Sequence, residues 1–171
     1  MDPTPEAIRA ASTHAAVDPL TATIDYRNTT VEELVAAGEL FDVVCSLEVV
    51  EHTPDPDAFV AACAALTSPG GSLVMSTMNR NPKSFALAIV AAEYVARLLP
   101  TGTHEWSRFR TPGEMQAAME EAGLTVDGMS GIVFDPTKMQ PLSSPRAWTL
   151  SDTDLDVNYI LHATRPATIA A

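Results

Sequence analysis

Two short runs, FDVVCSL at 41–47 and SLVMSTM at 72–78, constrain this chain more than anything else in it. Both are nearly continuous apolar stretches bounded by turn residues, the pattern of strands that need cover on two faces. Parallel neighbours of that kind are joined by a helix, and DAFVAACAAL at 57–66 supplies an amphipathic one between them. The flanks continue the alternation. A helix is expected over 4–16, with Thr4 as its cap and Pro5 in its first turn, and a short strand over Thr21–Tyr26. TTVEELVAAG reads as a helix whose Thr30 and Glu33 have capping-box spacing and which Gly38 closes. SPGG at 68–71 is expected to turn, 84–99 to form a longer helix stopped by Pro100, and 112–122 a further helix ended by Gly123. Two candidate strands, 124–134 and 155–163, flank the loop PLSSP. The pattern predicts an open α/β sheet, mostly parallel, with an antiparallel hairpin at its C-terminal edge.

The 171 residues, 46% apolar, suffice for one hydrophobic core. A net charge of −12 excludes a general nucleic-acid binder, which needs a basic footprint. The charge is uneven. Residues 1–57 hold twelve acids against Arg9 and Arg27, whereas 80–110 holds Arg80, Lys83, Arg97, Arg108 and Arg110 against Glu93 and Glu105. Cys45 and Cys63 lie in apolar surroundings without CxxC spacing and read as buried thiols of a reducing compartment. MDPTPEAIRA has the character of neither a secretory signal nor an Arg-rich transit peptide, and no run reaches the roughly twenty apolar residues of a membrane span.

Open α/β sheets bind ligands beyond the carboxyl ends of their strands. There the run 41–47 leads directly into Glu48-Val49-Val50-Glu51-His52. One helical turn would set Glu48 beside both Glu51 and His52, a group able to hold a divalent cation or share a proton. The alternative is that Glu51 and His52 only cap and orient the following loop. Asp2, by itself, is a helix-entry residue. Helix 84–99 has two charges after Ser84, Glu93 and Arg97, so it is either buried or laid on a lipid surface, with Trp106, Phe109 and the nearby bases as interfacial companions. His104 is a loop candidate, Asn79 and Arg80 follow a buried strand at its carboxyl end, and His14 and His162 read as peripheral. No nucleophile elbow, P-loop or HExxH motif occurs.

Taken together, FDVVCSLEVVEHTPDPDAFV, then SPGGSLVMSTMNRNPKSFALAIVAAEYVARLLPTGTHEW, and the ending DVNYILHATRP resemble the ubiquinone-biosynthesis O-methyltransferases, from Asp2 to about Pro166. The resemblance implies a Rossmann-like class I methyltransferase sheet and S-adenosyl-L-methionine as cosubstrate. It implies a demethylubiquinol or related polyprenyl catechol as acceptor. Asp2 matches the acid that binds the cosubstrate's ribose, and Leu47 matches the position lining it at the strand end. Glu48, Glu51 and His52 match the ligands of a divalent cation, usually Mg²⁺, with Glu51 and His52 as the catalytic pair and His52 as general base where the carboxylates alone hold the metal. Residues 80–110 match an insertion associated with an anionic membrane surface and the lipid substrate. A biosynthetic complex and a peripheral place on the matrix side of the mitochondrial inner membrane, or on the cytoplasmic membrane face of a bacterium, follow from the same likeness.

The family's first strand and Gly-rich loop have no counterpart here, and all eight glycines lie at Gly38 or later. The expectation is a partial domain over 1–166 with a disordered tail at 167–171, its N-terminal strands missing and FDVVCSL left with an unpaired edge. Such a chain is expected to be a fragment that binds S-adenosylmethionine weakly or not at all. Two rival readings stand beside this one: another small-molecule methyltransferase on the same fold, and a non-catalytic membrane-associated subunit.

Overall fold

The computed structural model describes residues 1–95, 100, 102–103, 105–138 and 147–167. They fall into two compact units, 1–39 and 40–171. In the first, α1 (Pro5–Ala15) starts at Thr4 with Pro at its beginning. α2 (Val31–Ala36) carries the expected capping box, in which Thr30 accepts the Glu33 N–H and the Glu33 carboxylate reaches back to Thr30 N–H. Gly38 closes that helix with φ +72°. The strand expected at 21–26 is absent. Turns follow α1 there, and the extended structure is a single parallel bridge between Asp2 and Asn28.

The second unit is one five-stranded sheet with two α-helices of three turns. β1 (Phe41–Leu47), α3 (Pro56–Leu66), β2 (Thr67–Met78), α5 (Pro112–Glu121), β3 (Thr125–Phe134), β4 (Trp148–Ser151) and β5 (Asn158–Thr164) follow in chain order, with the one-turn helix α4 (Pro82–Ser84) after β2. Spatially the strands run β1-β2-β5-β3-β4. β1 and β2 are parallel and the other three pairings antiparallel, because β5 returns between β2 and β3. The sheet is therefore mixed rather than mostly parallel, with the expected antiparallel arrangement at the C-terminal edge and β1 at the opposite edge. β4 falls within what reads from sequence as the loop between the last two strands, and PLSSP itself lies outside the described residues.

SPGG joins β2 rather than ending before it. Phe41 pairs with Thr67 and Val43 with Ser72, so the extra residues of β2 bulge out between two ladder positions, helped by Gly70 at φ +81°. Gly71 is needed there, since a Cβ would stand 2.7 Å from the Asp42 carbonyl oxygen. Beyond the bulge the register runs unbroken to Leu47↔Ser76.

α3 and α5 begin on Pro, behind Asp55 and Thr111 caps. Val60, Cys63 and Ala64 of α3, and Met115, Ala118 and Met119 of α5, recur at three and four and are buried. They pack on the face where Leu73, Met75 and Thr77 of β2 lie opposite Ala163, Leu161 and Tyr159 of β5, all six fully buried. The other face is more open, and Val43 and Leu47 of β1 are 59% and 54% exposed. Cys63 is buried as expected, whereas Cys45 lies exposed on that open face.

The helix expected at 84–99 is α4 continued by a π-helix, Phe85–Val95; residues 96–99, including Arg97, lie outside the described residues, as do 168–171. Ile89 of the π-helix packs with Met78 and Phe109, and Trp106 covers them.

Two outcomes test this account. Gly131 in β3 lies against the chain at Asp154, whose carbonyl a Cβ would overlap, while Gly128 three residues earlier faces open space. In urea unfolding, Gly131→Ala is expected to cost about 3 kcal/mol and Gly128→Ala to stay within about 0.5 kcal/mol. Glu114 is the second case. Burial pushes its carboxyl upward, but the Thr111 N–H and hydroxyl and the Arg80 guanidinium outweigh burial and hold it below its ordinary value. A depressed carboxylate stabilises above its ordinary range and loses that contribution as pH falls through its folded value. Glu114→Gln is thus expected to lower the melting temperature at pH 7, with the gap closing in acid.

Candidate functional site

The carboxyl end of β1 carries the acidic segment in an arrangement different from a helical turn. Glu48 has φ 53°, a left-handed conformation that a non-glycine residue adopts only under local constraint. Its N–H extends the β1–β2 ladder one residue further, donating to the Ser76 carbonyl at 3.0 Å. Its carboxylate is spoken for on both oxygens: Oε1 accepts from Ser76 Oγ at 2.7 Å and Oε2 from Asn158 Nδ2 at 2.9 Å. Glu48 therefore ties together the ends of β1, β2 and β5.

The turn itself is a 3₁₀ turn, Val50–His52, anchored by the fully buried Val50. Glu51 is 2% exposed. Its Oε2 accepts from Thr77 Oγ1 at 2.8 Å, and its Oε1 is buried without a hydrogen-bond partner. A cavity of about 200 Å³ opens beside it, lined by Glu51, His52, Gly102, Thr103, Glu105, Arg108 and Phe109. Glu105 is held below its usual range by the Ser107 hydroxyl and then by Arg108, whose Nε donates to it at 2.9 Å. Buried acceptor, imidazole, guanidinium and hydroxyl in one small cavity can receive a ring bearing hydroxyl groups and take a proton from it.

Ser76 and Thr77 are consecutive in a strand, so their side chains point to opposite faces of the sheet. The two carboxylates follow them: Glu48 goes to the Ser76 and Asn158 face, Glu51 to the Thr77 face. Among the described residues no group of three His, Cys, Asp or Glu side chains could hold a metal ion. The expected set of Glu48, Glu51 and His52 is thus divided, with Glu51 and His52 together at the cavity and Glu48 apart. The i, i+3, i+4 spacing fails because the chain turns left-handed at Glu48 and begins its turn only at Val50.

Leu47 ends β1 with its side chain half-exposed. In the 1–39 unit, Asp2 N–H donates to the Arg27 carbonyl at 3.1 Å, and its Oδ1 accepts from Thr4 N–H at 2.7 Å at the entry to α1. Asn79 and Arg80 serve the scaffold: Asn79 Nδ2 donates to the Leu155 carbonyl and Arg80 pairs with Glu114. His104 lies outside the described residues. Sequence reasoning missed Ser76, Thr77 and Asn158, and took Arg108 for an interfacial base. A signal existed for the first two, since hydroxyls closing an otherwise apolar buried strand require acceptors.

A family model described as a methyltransferase domain matches residues 1–128. The ubiquinone biosynthesis O-methyltransferase of Cereibacter sphaeroides is 52% identical over 165 residues, 96% of this chain and 63% of that protein. Its namesake from Dinoroseobacter shibae is 54% identical over 144 residues, 84% of this chain and 55% of that one. This chain thus spans less than two thirds of the length of these relatives. Among solved structures, an O-methyltransferase family protein from Burkholderia thailandensis superposes with TM-score 0.60 at 17% identity, over 96% of this chain and 42% of that one. A SAM-dependent methyltransferase from Methanosarcina mazei gives 0.59 at 15% identity, over 97% and 80%. The chain belongs to the methyltransferase-domain family and shares its fold with these solved methyltransferases.

Proposed function

We propose that this chain forms the acceptor side of an O-methyltransferase that methylates a polyprenyl catechol of the demethylubiquinol type. The observation that carries the reading is Glu51, a buried carboxylate with one oxygen unpartnered beside a cavity that also holds His52. The name borne by the relatives at about half identity supports the substrate class. S-adenosylmethionine, when bound, supplies a methyl carbon on a sulfonium sulfur. Leu47, half-exposed at the end of β1, would offer it an apolar contact.

A catechol hydroxyl in the cavity donates to Glu51 Oε1. Proton transfer to that oxygen leaves a phenolate, the nucleophile that methyl transfer requires. His52 orients the neighbouring ring oxygen or relays the proton to solvent, being exposed on its outer side. Arg108, held by Glu105, brings guanidinium N–H groups to the same wall that can donate to the phenolate oxygen. The Mg²⁺ that the resemblance implies is not given a step, because Glu48 and Glu51 face opposite sides of β2 and the three residues do not fit one ion as placed.

The lipid part of the substrate has its own surface. Phe85, Leu87, Val90 and Tyr94 of the π-helix stand exposed, Tyr94 by 60%. The bases around them are largely neutralised: Arg80 pairs with Glu114, Lys83 with Asp156 and Asp154, Arg108 with Glu105, and Arg110 with Asp57. We infer that contact with the prenyl tail and its membrane is chiefly apolar, with anionic headgroups secondary. Such a substrate sets the chain at the membrane holding it, the matrix face of the mitochondrial inner membrane or the cytoplasmic face of a bacterial one.

Methyl transfer to a short-chain prenyl catechol is expected to fall about 10²–10⁴-fold in Glu51→Gln. Unchanged turnover in a folded Glu51→Gln chain would refute the assignment. In vesicle flotation, Leu87→Glu should weaken binding at least about tenfold, from the lost burial of one leucine side chain. Lys83→Glu should change it far less, and the opposite order would restore the electrostatic reading.

A further inference from the structure

We propose that Thr77 is the positioning residue that turns Glu51 Oε1 toward the acceptor's hydroxyl. The inference rests on the cavity being the acceptor site. Glu51 has two equivalent oxygens, and something must decide which of them faces a ligand. Thr77 is fully buried in β2, opposite Tyr159 of β5 and one residue from the strand's end. Its backbone pairs with Tyr159 of β5, the preceding Ser76 closes the ladder to β1, and its branched side chain is stiff about χ1. A threonine hydroxyl has one proton to give, and here it goes to Glu51 Oε2 at 2.8 Å.

That single bond sets the rotation of the carboxylate. Oε2 is held on the strand and Oε1 is left as the buried oxygen without a partner, in a residue that lines the cavity. A buried carboxylate oxygen with no donor is a standing demand for one, and a catechol hydroxyl entering the cavity meets it. Without the Thr77 hydroxyl the carboxylate rotates freely, either oxygen competes for the strand side, and the fixed acceptor direction is lost.

The test compares catechol with 1,2-dimethoxybenzene, which has the same ring and oxygens but no proton to donate. Dissociation constants for both are measured by NMR titration on the 171-residue chain and two variants. Thr77→Val keeps the volume and removes the hydroxyl; Thr77→Ser keeps the hydroxyl and removes the methyl. The unmodified chain and Thr77→Ser are expected to prefer catechol by at least about tenfold, the scale of one hydrogen bond to a charged group. In Thr77→Val that preference should collapse to within about threefold, with binding of the dimethyl ether unchanged. A packing role would weaken both ligands together and would harm Thr77→Ser as much as Thr77→Val.

If Thr77→Val does not fold, Thr77→Cys replaces it, since a thiol is a weak donor of similar size, and the same collapse is expected. Retained preference in the hydroxyl-free variant overturns the proposal, as does absence of any preference in the unmodified chain. Methyl-transfer assays are separate. A preference that follows the hydroxyl without any methyl transfer would remove the reading of the reaction and leave Thr77 in its role.

Discussion

A strand cannot aim two consecutive side chains at one face, and that rule organises the carboxyl end of this sheet. Just before its last residue, Met78, β2 carries Ser76 and Thr77, two hydroxyls in a run otherwise built for the core. Each fixes one carboxylate arriving from β1, so the strand's alternation sorts Glu48 from Glu51 before any ligand is present. Glu48 becomes a tie between three strand ends, with both oxygens engaged and the backbone held at positive φ. Glu51 keeps one oxygen uncommitted. Two acids three residues apart thereby acquire different chemistry from the same strand.

The bases of 80–110 obey a related logic. Arg80 reaches Glu114 in the first turn of α5, and Arg110 reaches Asp57 in the first turn of α3. Both carboxylates sit where helix N-termini already favour negative charge. The pairs are partly exposed and individually weak, but they pin the segments leaving β2 and entering α5 over the end of the sheet. Arg110 N–H adds a bond to the Met78 carbonyl, and Tyr159 Oη donates to the Arg110 carbonyl at 2.7 Å. Burial pushes the Tyr159 phenol up, and the Glu114 charge adds to the rise, so it remains a donor across the whole working range. Charge that suggests a lipid-facing patch when read along the sequence is, among the described residues, largely paired with carboxylates in three dimensions.

The parts of this fold that could be read from sequence are those governed by local rules. Capping boxes at Thr30 and Thr111, prolines at helix starts, and three-four spacing in α3 and α5 each involve neighbours a few residues apart. The strand 41–47 and the acidic segment after it were equally visible. Hidden were features that depend on distant partners. SPGG is a turn by composition, yet the ladder to β1 draws it into a bulged strand. Thr21–Tyr26 has strand composition and forms none. Most instructive is Glu48, whose helical spacing to Glu51 and His52 holds only if the backbone is helical there, and the bond to Ser76, 28 residues away, accompanies the opposite conformation.

The scaffold alone does not choose a reaction. What distinguishes one use of the fold from another is therefore a handful of polar groups beyond the strand ends. Here two of them share a sheet face and are left unsatisfied. Ser46 pairs with Met75 in the ladder, on the same side as Thr77, and its buried hydroxyl has no partner, as Glu51 Oε1 has none. A core optimised only for stability would bring a donor to that oxygen or replace the acid by an apolar residue, since an unmet buried carboxylate oxygen is costly. The fold does neither. It holds Glu51 by one oxygen through Thr77 and leaves the residue at the wall of a cavity. That is the arrangement expected where the missing hydrogen bond is supplied by the acceptor.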